Sequence, residues 1–160
     1  MPEFNVEIVE LDRMRVACSH AYGEAPELHA LEQLLSWAEP WGLLEDHDLF
    51  PVFGFNYPPP SSDHREYGYE CWIRIRPEDQ PAGTIKIKEF TGGLFAMTKS
   101  ALRGEVNITE GWTFLWAWVR SSEYQWRQAP FLERFLNPTA PMVELEFELY
   151  LPVTAPGAAP

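Results

Sequence analysis

The stretch Ile85-Lys86-Ile87-Lys88-Glu89-Phe90-Thr91-Gly92-Gly93-Leu94-Phe95-Ala96-Met97-Thr98-Lys99 decides how the fold is read. Ile85 and Ile87 alternate with lysines as a half-buried strand requires, Thr91-Gly92-Gly93 supplies turn chemistry, and Leu94 to Lys99 returns as a second strand. The spacing predicts a hairpin. This hairpin has a counterpart at the start of the chain. Laid 79 residues apart, Val6 falls on Ile85, Ile8 on Ile87, Val16 on Phe95 and Leu35 on Phe114, while Ala17 with Ala96 and Trp37 with Trp116 are identities. Two identities carry little; the recurrence of a whole order of hairpin, helix and two strands at that offset carries the reading.

Phe4, Val6, Ile8 and Leu11 nearly alternate with polar residues, and Arg15 to His20 reads as the return strand of an opening hairpin. Pro26 stands where a first-turn proline is tolerated, and Leu28, Leu31, Leu35 and Ala38 recur at helical spacing until Pro40 stops the pattern. Leu49 to Phe55 and Tyr67 to Ile75 have strand composition and flank a proline-rich loop from Pro58. In the second half, Asn107 with Glu110 forms a capping pair ahead of a helix whose inner face is marked by Trp112, Leu115, Trp116 and Val119. A short segment from Phe131 to Leu136 follows, and Val143 to Leu151 alternates strictly. The class expected is α+β, a pseudo-symmetric duplication of a β-β-α-β-β unit in one domain over 1–153, with repeats at about 3–77 and 83–153. Residues 154–160 lack an apolar pattern and are expected to be a disordered tail. A helix on one face of each sheet would leave a cleft between the halves, a usual place for a ligand.

The formal charge of -12 argues against direct binding to nucleic acid, which rests on Lys and Arg neutralising phosphates, and against an anionic membrane surface. Seven Trp, ten Phe and six Tyr allow a substantial core without disulfide or metal. Cys18 and Cys71 have no CxxC spacing and read as buried small hydrophobes, with a disulfide or reactive thiol as the alternative. No cofactor or metal is expected. The start of the chain lacks a basic region followed by an apolar run, so the cytoplasm is the expected compartment.

Glu133 is the most informative candidate, because its meaning depends on its backbone. In a strand, Phe131, Glu133 and Phe135 share one side, and a carboxylate stands between two rings where an organic cation would be favoured. In a helical turn, Glu133-Arg134 faces water; the local pattern leaves both open. Phe53, Phe55, Tyr69, Trp72 and Tyr150 could line a cleft and stack on a planar ligand, whereas Trp37, Trp112 and Trp116 have core spacing. Tyr150 falls on the strand face opposite Leu149 and Leu151, together with Glu144, Glu146 and Glu148; its hydroxyl is a candidate to meet Glu133, and the same alternation equally suits a solvent-facing edge. His20, His29, His47 and His64 lie in separate segments and form no catalytic motif. Glu45, Asp46 and Asp48 read as a solvated turn rather than a calcium loop.

Several stretches together resemble the GyrI-like family, also called the AraC effector-binding domain. They are Ala30-Leu31-Glu32-Gln33-Leu34-Leu35-Ser36-Trp37, Phe53-Gly54-Phe55-Asn56-Tyr57-Pro58, Thr91-Gly92-Gly93-Leu94-Phe95-Ala96-Met97, Pro130-Phe131-Leu132-Glu133-Arg134-Phe135-Leu136-Asn137 and Glu148-Leu149-Tyr150-Leu151-Pro152-Val153. The resemblance implies a concave antiparallel sheet with two helices packed on it. It also implies Glu133 as the central pocket carboxylate, with Tyr150 near it; Phe55, Tyr69, Trp72 and Phe95 are ligand-binding candidates from strand position. The family's loop after the first helix commonly reads Tyr-Asp-Asn-Pro-like, where this chain has Phe55-Asn56-Tyr57-Pro58. The function expected is a stand-alone binding protein for hydrophobic, planar or cationic compounds, serving xenobiotic sensing or sequestration. Two alternatives stay open. One is a hydrolase of cyclopropane-containing DNA-alkylating compounds with Glu133 activating water, and the other is a modulator whose protein partner is a transcription regulator or gyrase.

Overall fold

The computed structural model describes residues 5–61, 63, 65–101 and 107–157, so Phe4, His64 and the last three residues of the expected tail lie outside it. In chain order the elements are β1 (Glu7–Leu11), β2 (Met14–Gly23), α1 (Glu27–Ala38), β3 (Val52–Asn56), β4 (Tyr67–Arg74), β5 (Lys86–Phe90), β6 (Gly93–Ala101), α2 (Ile108–Ser121), β7 (Gln125–Trp126), β8 (Leu132–Phe135) and β9 (Glu146–Thr154). The chain divides into a continuous unit, Arg13–Thr91, and a split unit, Met1–Asp12 with Gly92–Pro160. In the continuous unit the antiparallel order is β3-β4-β2-β5, with α1 against β2 and β4. The split unit repeats it as β8-β9-β6-β1, with α2 against β6 and β9 and with β7 also pairing β9. The expected class, α+β with a duplicated strand-and-helix arrangement, is the one observed.

Neither expected hairpin forms. β1 pairs β6, Ile8 opposite Ala96, and β5 pairs β2, Ile87 opposite Ala17. Each half thus lends its first strand to the other unit. The local chemistry explains the opening case: a two-residue hairpin needs positive φ, and Asp12-Arg13 has none, since no non-glycine residue among those described has positive φ. At the second crossing Gly92 (φ 76°) and Gly93 (φ 126°) do turn the chain, but they route it out of one unit rather than closing a hairpin.

Both helices are held by a narrow stripe headed by a small residue. On α1 the stripe is Ala30, Leu34 and Ala38 with Leu31 beside it, all buried, while Leu28 is exposed and Leu35 half-buried. The Ser19 hydroxyl donates to the Ala30 carbonyl at 2.6 Å, which fixes α1 against β2. On α2, capped by Asn107 accepting from the Glu110 amide at 2.8 Å, the stripe is Gly111, Leu115 and Val119. A Cβ at Gly111 would lie 2.7 Å from Leu149 Cδ1 and 3.2 Å from Ser100, so only glycine lets the helix sit this close. Fully burying Leu34 or Leu115 contributes about 2 kcal/mol each. These stripes lie 81 residues apart, so Trp37 corresponds to Trp118, and its identity with Trp116 joins positions that are not equivalent. The Ala17/Ala96 identity does join equivalent positions, opposite Ile73 and Leu151.

β3 and β4 pair as expected, Phe53 opposite Trp72. β9 begins at Glu146 rather than Val143, which is exposed in a 3₁₀ turn. From Leu149 to Val153 every residue of β9 is buried, so the strand is covered on both faces. Cys18 and Cys71 are free and buried. Among the described residues no helix is long and apolar enough to cross a membrane.

Candidate functional site

Between Pro130 and Pro138 the chain forms strand β8 against β9, so the strand reading of this segment holds. The register sets Glu133 opposite Leu149, whose Cδ1 lies under α2 at Gly111. Glu133 therefore projects to the α2 side of its sheet. There its Oε2 accepts a hydrogen bond from Trp112 Nε1 at 3.2 Å, and the side chain is half-buried.

With Gly111, Leu115 and Val119 turned to the sheet, Trp112 and Trp116 fall one step round the helix, four residues apart on the same flank. Phe131, just before β8, lies 5.7 Å from the Trp112 ring and 6.3 Å from Trp116, which meets Trp126 edge-on at 6.4 Å. Phe131 is exposed, as are Trp116 (37 %) and Trp126 (50 %). Four linked rings thus lead from the carboxylate to the surface of the split unit. Exposed rings that touch one another, unlike singly exposed ones, are a feature of binding surfaces. A carboxylate among aromatic rings favours an arriving organic cation through its charge, and the exposed rings add contact with their negative faces.

The other expected site residues lie elsewhere. Tyr150 and Glu133 point to opposite faces of one sheet, because Tyr150 is next to Leu149 on β9. The Tyr150 hydroxyl donates to Glu148 Oε1 at 2.7 Å, and Arg134 Nη1 stands 3.6 Å from the same oxygen. Burial first, then that bond to Glu148, raises the Tyr150 pKa. Phe95 meets Tyr150 edge-on at 6.0 Å, with the Arg127 guanidinium 4.8 Å above its ring. In the continuous unit, Ser19 and Cys71 form the row facing α1, so Trp72 and its cross-strand neighbour Phe53 face away, with Phe55 beside them. Phe55 and Trp72 meet edge-on at 4.9 Å.

Tyr69 faces α1 and is 1 % exposed. Its hydroxyl would lie 2.2 Å from a Cβ placed on Gly54. Gly54 pairs Cys71 as Glu133 pairs Leu149, so the two positions are equivalent in the duplicated sheets. Where the split unit carries a carboxylate, the continuous unit carries glycine with a tyrosine folded over it.

Sequence reasoning missed the exposed rings, assigning Trp112 and Trp116 to the core. The signal was Gly111: a glycine four residues before Leu115 marks the contact stripe and moves both tryptophans off it. It also missed Glu70, which is 5 % exposed and whose Oε2 accepts from Trp72 Nε1 at 2.7 Å and from Lys88 Nζ at 2.8 Å. A charged residue in the middle of the apolar run Tyr67 to Ile75 was the available sign. Among the described residues no cluster of His, Cys, Asp and Glu could hold a metal ion.

A family profile described as the GyrI-like small molecule binding domain matches residues 4–154. No curated protein matches the chain in sequence. Among solved structures, a hydrolase from Listeria innocua has a TM-score of 0.64 at 12 % identity, covering 96 % of this chain and 94 % of its own. The EcmrR C-terminal domain gives 0.65 at 12 % identity, over 94 % and 98 %. SAV2435, solved bound to tetraphenylphosphonium, gives 0.54 at 13 % identity, over 94 % of each chain. At these identities the likeness is one of fold.

Proposed function

Because the chain belongs to the GyrI-like small molecule binding domain family, we propose that it binds hydrophobic, planar or cationic organic compounds at Glu133, against the run of rings formed by Trp112, Phe131 and Trp116. The observation that carries this reading is the bond from Trp112 Nε1 to a half-buried carboxylate at the inner end of an exposed aromatic run. The indole N–H fixes one carboxylate oxygen at the edge of its ring, and the linked rings beyond it lie within reach of the same ligand, so an aromatic cation gains both Coulomb attraction and ring contact. The ligand held by SAV2435 is a lipophilic cation bearing aromatic rings, which supports the choice of probe. Sensing or sequestration needs no more than such binding.

Titration with tetraphenylphosphonium, followed by calorimetry, tests the charge role. Glu133→Gln removes the charge while keeping the shape, and affinity should fall by about tenfold, the weight of a partly desolvated cation contact of near 1.4 kcal/mol. Equal affinity in a variant with native circular dichroism refutes the reading. Mass spectrometry of candidate electrophiles after incubation distinguishes binding from turnover, because a hydrolase adds water to more substrate than there is protein.

A further inference from the structure

We propose that the continuous unit holds a second ligand site, for linear primary ammonium groups, centred on Glu70 and occupied by the chain's own Lys88. The site is built from residues other than those around Glu133 and does not rest on that assignment. Glu70 lies in the middle of β4 and is almost wholly buried, a position where a carboxylate requires a cation or strong hydrogen bonds. Trp72 Nε1 takes one lone pair of Oε2 and Lys88 Nζ takes another. The Trp72 ring is in turn held by Phe55 at 4.9 Å and Phe90 at 5.3 Å. The acceptor is thus fixed by rigid aromatic neighbours, while the cation is not: Lys88 comes from β5, which pairs β2 alone within its unit, and its side chain is 46 % exposed against 6 % for Glu70. Nearly half of the Lys88 side chain is open to solvent, so the ammonium can leave and another can enter from that side without disturbing the core.

The duplicated unit supplies an internal comparison. Glu148 occupies the place of Glu70, and Tyr150, two residues on like Trp72, donates to it at the same 2.7 Å. There the cation is Arg134 on β8, a strand with β9 beside it, and its side chain is only 19 % exposed. One layout therefore appears with an enclosed guanidinium and once with a tethered, exposed amine. Charge at Glu70 is also felt nearby: burial first, then Glu70, pushes the Cys18 thiol up to about 12. Burial pulls Lys88 down, but the bond and charge of Glu70 outweigh it, so the occupant remains an ammonium. The 2.8 Å contact is an N–H donation, which selects amines that carry protons over quaternary cations.

The chain has three lysines, Lys86, Lys88 and Lys99, so side-chain ammonium signals of protein labelled with nitrogen-15 lysine can be followed individually. n-Butylammonium should move the Lys88 signal toward that of a free lysine, and tetramethylammonium at the same concentration should leave it in place. A tethered group competes at an effective concentration in the millimolar range, so Lys88→Met should bind n-butylammonium at least about tenfold more tightly than the native chain. Glu70→Gln in that background should abolish the binding. An equal response to tetramethylammonium, or a Lys88 signal that n-butylammonium cannot displace, overturns the proposal. The native-chain titration decides the matter even if Lys88→Met does not fold.

Discussion

Gly54→Ala is a substitution whose sign depends on one neighbour. A methyl at Gly54 would meet Tyr69 at three ring atoms, the hydroxyl at 2.2 Å, Cε2 at 2.5 Å and Cζ at 2.6 Å, and Tyr69 is enclosed with no room to retreat. Overpacking a close-packed interior costs about 1–3 kcal/mol, and three simultaneous overlaps put this site at the upper end. Against that, alanine in a strand gains about 0.5–1 kcal/mol over glycine by restricting the unfolded chain. The net loss is about 2 kcal/mol, which with a urea slope of about 2 kcal/mol per molar lowers the midpoint by about 1 M. Tyr69→Leu removes all three clashing atoms, so in that background the same change should become neutral or stabilising by about 0.5 kcal/mol. The coupling in the double-mutant cycle is then about 2–3 kcal/mol. Equal losses in both backgrounds would refute the account of Gly54 as the space that Tyr69 fills.

Other outcomes follow from single groups. Asn107→Ala removes the oxygen that caps α2 and should destabilise the chain by about 1 kcal/mol in urea unfolding, with Asn107→Asp close to native. Cys18, buried and with its thiol pushed up to about 12, and Cys71, fully enclosed, should ignore a thiol reagent at pH 8 until denaturant is added; a fast native reaction at either contradicts their burial. Tyr150 has a raised folded pKa, so the stability it contributes is fully present below about pH 10, where a free tyrosine titrates, and is lost as pH rises toward the folded value. Tyrosinate absorbance should show this phenol ionising only as the fold is lost, and Tyr150→Phe should flatten the alkaline fall in stability.

Much of this fold could be read because its alternations are short-range. The strands around Phe53 and Trp72 and the terminal strand through Leu149 announce themselves by composition and period, and Asn107 announces α2. Strand exchange could not be read. Pairing is a contest between distant partners, and in a duplicated chain both candidate partners of Ile8 have the same pattern, so local periodicity is silent about which one wins. The faces of the helices were misjudged for a related reason: Trp112 and Trp116 are large and apolar, and period alone gives them to the core. The contact is set by how near Gly111 lets the helix come to Leu149. Of the candidate site, Glu133 in a strand beside rings was legible. Phe131 among those rings was legible too, and so was the shared face of Tyr150 and Glu148, which follows from alternation; Trp112 and Trp116 were not, and neither was the separation of Tyr150 from Glu133, because the register of β8 on β9, with Glu133 opposite Leu149, decides it.

Exchange of the first strands also orders events during synthesis. The continuous unit owns every one of its strands once Thr91 has been added, so it can close while the remainder is still being translated. β1 is made before all of it, yet its partner β6 does not exist until residues 93–101 emerge. Until those residues emerge β1 is thus a strand without its neighbour. Its Glu7 and Glu10, exposed in the finished sheet, give that waiting segment charge that discourages pairing with other chains.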